Sequence, residues 1–230
     1  MNNVDKKEVI LKTVKEKSTT KQLVFDNTLN TFNLLKKVLK YIEINNNSNL
    51  EDVDERVHFQ FKDQGKFDAQ LKVAGDLLIF SMHTNAYEFD RSHLVWQNSL
   101  VKNDPNSSYC GMISIYNFLS DSFKYNRIED LGYLVARLFI NKDGFYFVEG
   151  KRQMSYWLNN FGTSKIDKEV LRDIANSAIL YALEFDLLVP PYENVKIINV
   201  EQINNKIDSS RIQTGKRLGF AYNSDDKLVL

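Results

Sequence analysis

The sequence predicts an α+β fold, a mainly antiparallel sheet built from a meander plus a central hairpin and covered by amphipathic helices. Three observations carry this. Apolar and polar residues alternate along 57–90, which is the period of half-buried strands. Two apolar runs flank Asn141-Lys142-Asp143-Gly144, and an Asp-Gly step between such runs marks a hairpin because glycine reaches positive φ without a Cβ clash. Apolar residues recur at helical spacing over 20–44 and again over 166–188, as they do on helices with one buried face.

Taken in order, residues 4–17 form a short amphipathic helix, with Val4, Val9, Ile10 and Val14 among lysines and acids. Ser18-Thr19-Thr20 offers capping hydroxyls for a second, longer helix whose stripe includes Val24, Phe32, Leu35, Leu39 and Ile42. The polar run Asn45-Asn46-Asn47-Ser48-Asn49 is a hinge candidate. It divides the chain into a helical N-terminal arm over 1–45 and a single α+β domain over 50–230, with a polar tail from about 192. Phe59 and Phe61, then Ala69, Leu71 and Val73, alternate with polar residues and predict a hairpin with one wet face. Residues 77–83 are more uniformly apolar and read as a central strand, followed by a short strand at 86–89, with 93–96 extending it or starting another. Residues 110–125 read as a helix with Met112, Tyr116, Leu119 and Phe123 on its buried stripe. After the 131–150 hairpin come a short helix at 152–161 and a long one at 166–188 capped by Thr163 or Ser164. Pro190-Pro191 ends that helix, and a strand-like segment follows at 195–200.

Lysine plus arginine equals aspartate plus glutamate at 30 each, so no global field steers the chain towards nucleic acid or an anionic surface. A single cysteine, Cys110, excludes an intramolecular disulfide and a cysteine-rich zinc site. The N-terminal residues are charged throughout and lack the apolar centre of a signal peptide. No run of about 18 apolar residues occurs. The expected location is the cytoplasm, with no membrane partner.

The hairpin also carries the one acid–base pair at a spacing that chemistry uses, Glu149 and Lys151. A two-residue or four-residue loop would place Glu149 on the apolar face of Leu134, Ala136, Leu138, Ile140, Phe145 and Phe147, with Lys151 pointing the same way. A carboxylate against a desolvated wall needs a counter-charge or a cation. The plainer alternative is a strand that runs out into water. Glu149-Gly150-Lys151 resembles the Glu-x-Lys half of the PD-(D/E)xK nuclease pattern. That resemblance implies a divalent metal such as Mg²⁺ held partly by Glu149, and a water oriented by Lys151. It covers three residues, no Pro-Asp pair precedes it, and an upstream acid is required. Asp143 lies at the far end of the strand, so only Glu129, Asp130 or Asp76 could serve.

Other constellations each have a bland counterpart. Cys110 at a helix start, with His83 and His93 upstream, is a nucleophile candidate; the alternative is a small residue that packs well. His83, Glu88, Asp90 and His93 form a loose set of metal-ligand types whose spacing fixes no geometry, so no metal site is assigned. Thr214-Gly215-Lys216-Arg217 lacks the earlier glycine and following hydroxyl of a phosphate loop. Lys165, Lys168 and Arg172, with Arg211, Lys216 and Arg217 further on, are nucleic-acid contact candidates, and Tyr146, Tyr156 and Trp157 are stacking candidates; ordinary surface charge and core aromatics explain the same residues. The leading expectation is a non-catalytic binding or assembly module acting on a protein partner or on itself. The competing expectation is a metal-dependent nuclease using Glu149 and Lys151.

Overall fold

The computed structural model describes residues 3–128, 130–150, 161–184, 187–188, 200 and 220–221. Its fold is α+β, as the alternation and the helical stripes predict. One antiparallel sheet of seven strands runs in the order β1-β2-β3-β5-β6-β7. These are β1 (Gln60–Asp63), β2 (Asp68–Val73), β3 (Asp76–Met82), β4 (Tyr87–Glu88), β5 (Tyr109–Leu119), β6 (Tyr133–Asn141) and β7 (Tyr146–Gly150). The two-residue β4 pairs with the first residues of β5, beside β3 and on the side away from β6.

Two long helices cover one face. α1 (Asn3–Thr13) passes through a π-helical segment, Val14–Ser18, into α2 (Thr19–Asn47). α3 (Ser99–Asn103) and α4 (Ser120–Lys124) are single turns, and α5 is Lys168–Glu184. Phe32, Leu35 and Leu39 of α2 and Leu171, Ala175 and Ala178 of α5 are buried against Leu71, Phe80, Ile113 and Leu138 of the sheet. The alanines of α5 let its backbone come close, as the sequence suggests. Where α2 crosses β5, Gly111 faces Thr28 so closely that a Cβ there would lie 2.0 Å from Oγ1. The other sheet face carries a smaller apolar cluster of Phe139, Phe147, Cys110, Val95, Val101 and Phe161.

Four expectations are corrected. Residues 110–125 are not one helix: β5 runs through Leu119 and only the single turn α4 follows. Met112 and Tyr116 are four apart, and four is an even number, so the same pair shares one face of a strand as well as of a helix. The β-branched Ile113 and Ile115 between them, both buried, decide for the strand. Ser18 does not start a new helix. It sits at φ −72°, ψ −38° with no side-chain cap, because without Pro or Gly nothing breaks the chain there and the helix continues as a π turn. Residues 93–96 are not strand either: Leu94–Gln97 is a 3₁₀ turn capped by His93 Nδ1, which accepts from Val95 N–H at 3.2 Å. Finally, α5 is capped by Asp167, whose carboxylate accepts from Val170 N–H at 2.9 Å. The helix and strand expected at 152–161 and 195–200 fall almost wholly outside the described residues.

At its far end α2 runs on through Asn47, inside the asparagine-rich stretch. The Asn47 amide accepts from Phe59 N–H and donates to Phe59 C=O, both at 2.9 Å, while Glu43 accepts from Phe61 N–H at 3.1 Å. These side chains cover the outer edge of β1, which would otherwise present unpaired backbone groups.

Candidate functional site

The loop of the central hairpin decides where Glu149 points. Asn141 N–H donates to Phe145 C=O, and Gly144 sits at φ +80°. Asn141 Oδ1 accepts from the backbone N–H groups of both Asp143 and Phe145 at 2.9 Å. The loop is therefore the three residues Lys142-Asp143-Gly144, with glycine in the left-handed position that such loops require. An odd loop reverses the parity expected from an even one, and a one-residue slip moves every side chain to the other face. In the resulting register Leu138 faces Val148, Phe139 faces Phe147 and Arg137 faces Glu149.

Glu149 therefore does not stand on the wall of Leu138 and Ile140. It lies across from Arg137, and the two form an ion pair at 3.1 Å with side chains 57 % and 40 % exposed respectively. Lys151 lies outside the described residues, as does Glu129. Among the described residues no three His, Cys, Asp or Glu side chains gather to hold a metal ion, and the charge that pairs with Glu149 is a guanidinium. These residues do not fit a metal-holding strand end. Arg137 is the partner that sequence reasoning missed. An Asp-Gly loop read as three residues would have found it.

Cys110 is buried inside β5 rather than placed at a helix start. Burial pushes its thiol well above the ordinary range, so it stays protonated, the opposite of an activated nucleophile. The four metal-ligand types upstream are occupied locally. His83 Nδ1 accepts from Asn85 N–H, Asp90 accepts from Ser92, His93 caps the 3₁₀ turn, and Glu88 accepts from the Tyr109 hydroxyl at 2.7 Å. Lys165 lies over the Phe145 ring, Lys168 over Tyr41, and Arg172 pairs with Glu169. Tyr146 is buried in the main core. Tyr156, Trp157, Arg211, Lys216 and Arg217 lie outside the described residues.

Among the described residues, the arm exposes a run of apolar side chains on a helix. Every residue from Asp5 to Thr19 is exposed, including Val9 at 50 %, Ile10 at 61 %, Leu11 at 48 % and Val14 at 53 %. Three threonine hydroxyls bond back to the helix around the π segment: Thr13 to Val9 C=O, Thr19 to Val14 C=O and Thr20 to Glu16 C=O. A π turn holds about one residue more than an α turn. The faces on its two sides are thus offset by roughly 100°. In consequence the stripe that α2 buries carries on into Val9, Lys12, Thr13 and Glu16, which line an open groove of about 310 Å³ above Asn106 and Tyr109. Ile10, Leu11 and Val14 are left on the side away from the sheet.

One contact fixes the arm's root. Lys17 reaches Glu88 at 3.9 Å and stands over the Tyr109 ring, as does Lys21. The neighbouring Tyr109 hydroxyl and, after it, Glu88 hold the Lys17 ammonium above the usual lysine range, while burial raises Tyr109. This trio was not legible in the sequence, because it joins residues about 70 and 90 positions apart on three elements. No family model matches the chain, and neither a curated protein nor a solved structure matches it.

Proposed function

We propose that the chain is a non-catalytic binding or assembly module that works through its N-terminal arm, in the cytoplasm. The observation that supports this is the arm itself: an exposed helix with Ile10, Leu11 and Val14 in water, continuous through the π segment with a helix that is part of the core. Exposed apolar residues scattered singly need no explanation, but a run of them on one face of a projecting helix is the form of a docking surface. No helix among the described residues is long and apolar enough to cross a membrane.

The test is association of the full-length chain. Sedimentation or light scattering over a concentration series should show arm-dependent association, with itself or with a protein recovered by co-purification and then shown to bind the pure chain. The substitutions Ile10→Asn and Leu11→Asn should abolish it while leaving circular dichroism and melting unchanged. Equal association by the substituted and natural chains would end this reading.

The metal-dependent nuclease draws no support from the surroundings of Glu149, which faces Arg137 in solvent.

A further inference from the structure

We infer that the arm's partner is a second copy of this chain, which receives it head to tail at the opposite end of the molecule; this rests on the assembly reading above. The two ends are complementary. Over residues 5–21 the arm carries six lysines (6, 7, 12, 15, 17 and 21) against three acids (Asp5, Glu8 and Glu16). Lys7 and Lys15 flank Leu11 at i−4 and i+4, so they share the outward face with Ile10 and Val14. That face is apolar at its centre and basic at its border.

The far end is the reverse. The loop after α2, residues 50–57, has four acids (Glu51, Asp52, Asp54 and Glu55) and one base, Arg56. Arg56 is spent on Asp54, whose carboxyl it draws down to about 2. Glu51, Asp52 and Glu55 are exposed and make no ion pair among the described residues. Exposed apolar side chains belong to the same end: Val53 at 45 %, Phe123 at 50 %, Ile128 at 82 % and Leu131 at 76 %. Lys72 ties the loop to the end of β2, since its ammonium donates to Arg56 C=O at 2.9 Å; that end adjoins the start of β3 and the end of β5, from which α4 follows. This end therefore carries exposed apolar side chains beside an acidic loop.

The arm cannot satisfy this surface within its own chain. It is one helix with α2, and 29 residues of α2 separate the two ends by about 43 Å at 1.5 Å per residue. Complementary patches on opposite ends of a rigid body meet only between copies. Such a contact is heterologous and leaves one of each patch free at the ends of a dimer, so it continues into a ring or an open chain.

The test uses two charge-reversed full-length chains, Lys7→Glu with Lys15→Glu and Glu51→Lys with Asp52→Lys. The unaltered chain should form species larger than a dimer, and these should dissociate as salt rises. Each reversed chain should sediment as a monomer at concentrations where the unaltered chain is fully associated. An equimolar mixture should again give species larger than a dimer, because the natural arm then meets the natural loop and the reversed arm meets the reversed loop. A chain carrying both reversals should associate again. Association of the loop-reversed chain equal to that of the unaltered one would overturn head-to-tail contact while leaving an arm-mediated interface standing. An unaltered chain that stays monomeric and floats with phosphatidylserine vesicles would overturn both. The uncharged pair Ile10→Ser and Ile128→Ser repeats the test if a reversed chain fails to fold, and loss of association in neither overturns the inference.

Discussion

The two halves of the long N-terminal helix look alike in sequence and end differently. Residues 4–17 and 20–44 both show apolar residues at helical spacing among lysines and acids. In α2 that stripe disappears into the core, with Val24, Phe32, Leu35, Val38, Leu39 and Ile42 almost wholly buried. In α1 and the π segment, residues of the same types stand in water. An amphipathic stripe states that a face is to be covered; it does not state by what. The difference comes from reach: the sheet ends near Tyr109 while the helix carries on, and the π turn swings the arm's apolar residues away from what little body remains beneath it.

The contrast is sharpest in stability. Leu35→Ala removes a side chain that is 1 % exposed and should cost about 2–5 kcal/mol, from lost transfer energy plus the cavity left behind. Ile10→Ala, the same kind of truncation one arm away, should stay within about ±0.5 kcal/mol. Urea melts of the two, measured at a concentration where the chain is monomeric, decide it. A loss of several kcal/mol for Ile10→Ala would mean that the arm is covered within its own chain.

A second effect, about 1–3 kcal/mol, is expected where α2 touches the sheet most closely. At Gly111 an added methyl has nowhere to go, since Thr28 Oγ1, Cβ and Cγ2 would all lie within 3.0 Å of it; overpacking of this kind strains the backbone. Gly111→Ala should therefore destabilise, and Thr28→Ala should recover part of the loss, giving a coupling energy in a double-mutant cycle. Additive effects would show that the helix simply shifts.

Cys110, next to Gly111 but on the opposite face of the sheet, gives a rate in place of an energy. Its buried, protonated thiol should resist alkylation at pH 7 for as long as the chain is folded and react on unfolding. Because its pKa is raised on folding, it contributes stability fully below the unfolded thiol's pKa, and that contribution fades as pH rises above it. Fast labelling of the folded chain at pH 7 would contradict the burial and restore the nucleophile.

How much of this was legible is itself a matter of reach. Alternation gave β1 to β3 and the hairpin, and helical spacing gave α2 and α5, because those patterns depend on neighbours within a few residues. Residues 110–125 were misread because Met112 and Tyr116 satisfy both periods. The site failed on a single residue of loop length: Asn141 Oδ1 capping two N–H groups stabilises a three-residue loop that the Asp-Gly signal alone does not distinguish from a two-residue one. Lys17, Glu88 and Tyr109 required the tertiary fold.

Glu149 carries that one-residue difference into the smallest prediction. Had the loop been even, Glu149→Ala would have relieved or exposed a buried charge, with an effect of a few kcal/mol. On the Arg137 face it is a cross-strand pair in solvent, and such pairs contribute about 0.2–1 kcal/mol. Glu149→Ala and Arg137→Ala should each fall in that range, and high salt should shrink their coupling. The same variants test the nuclease. Cleavage of DNA or RNA by the natural chain in Mg²⁺ or Mn²⁺, lost in folded Glu149→Ala, would show that the exposed carboxylate gathers a metal with ligands from outside the described residues. No cleavage, together with a weak, salt-sensitive coupling, would leave the Glu149–Arg137 pair as ordinary surface electrostatics and the arm as the feature that asks for a partner.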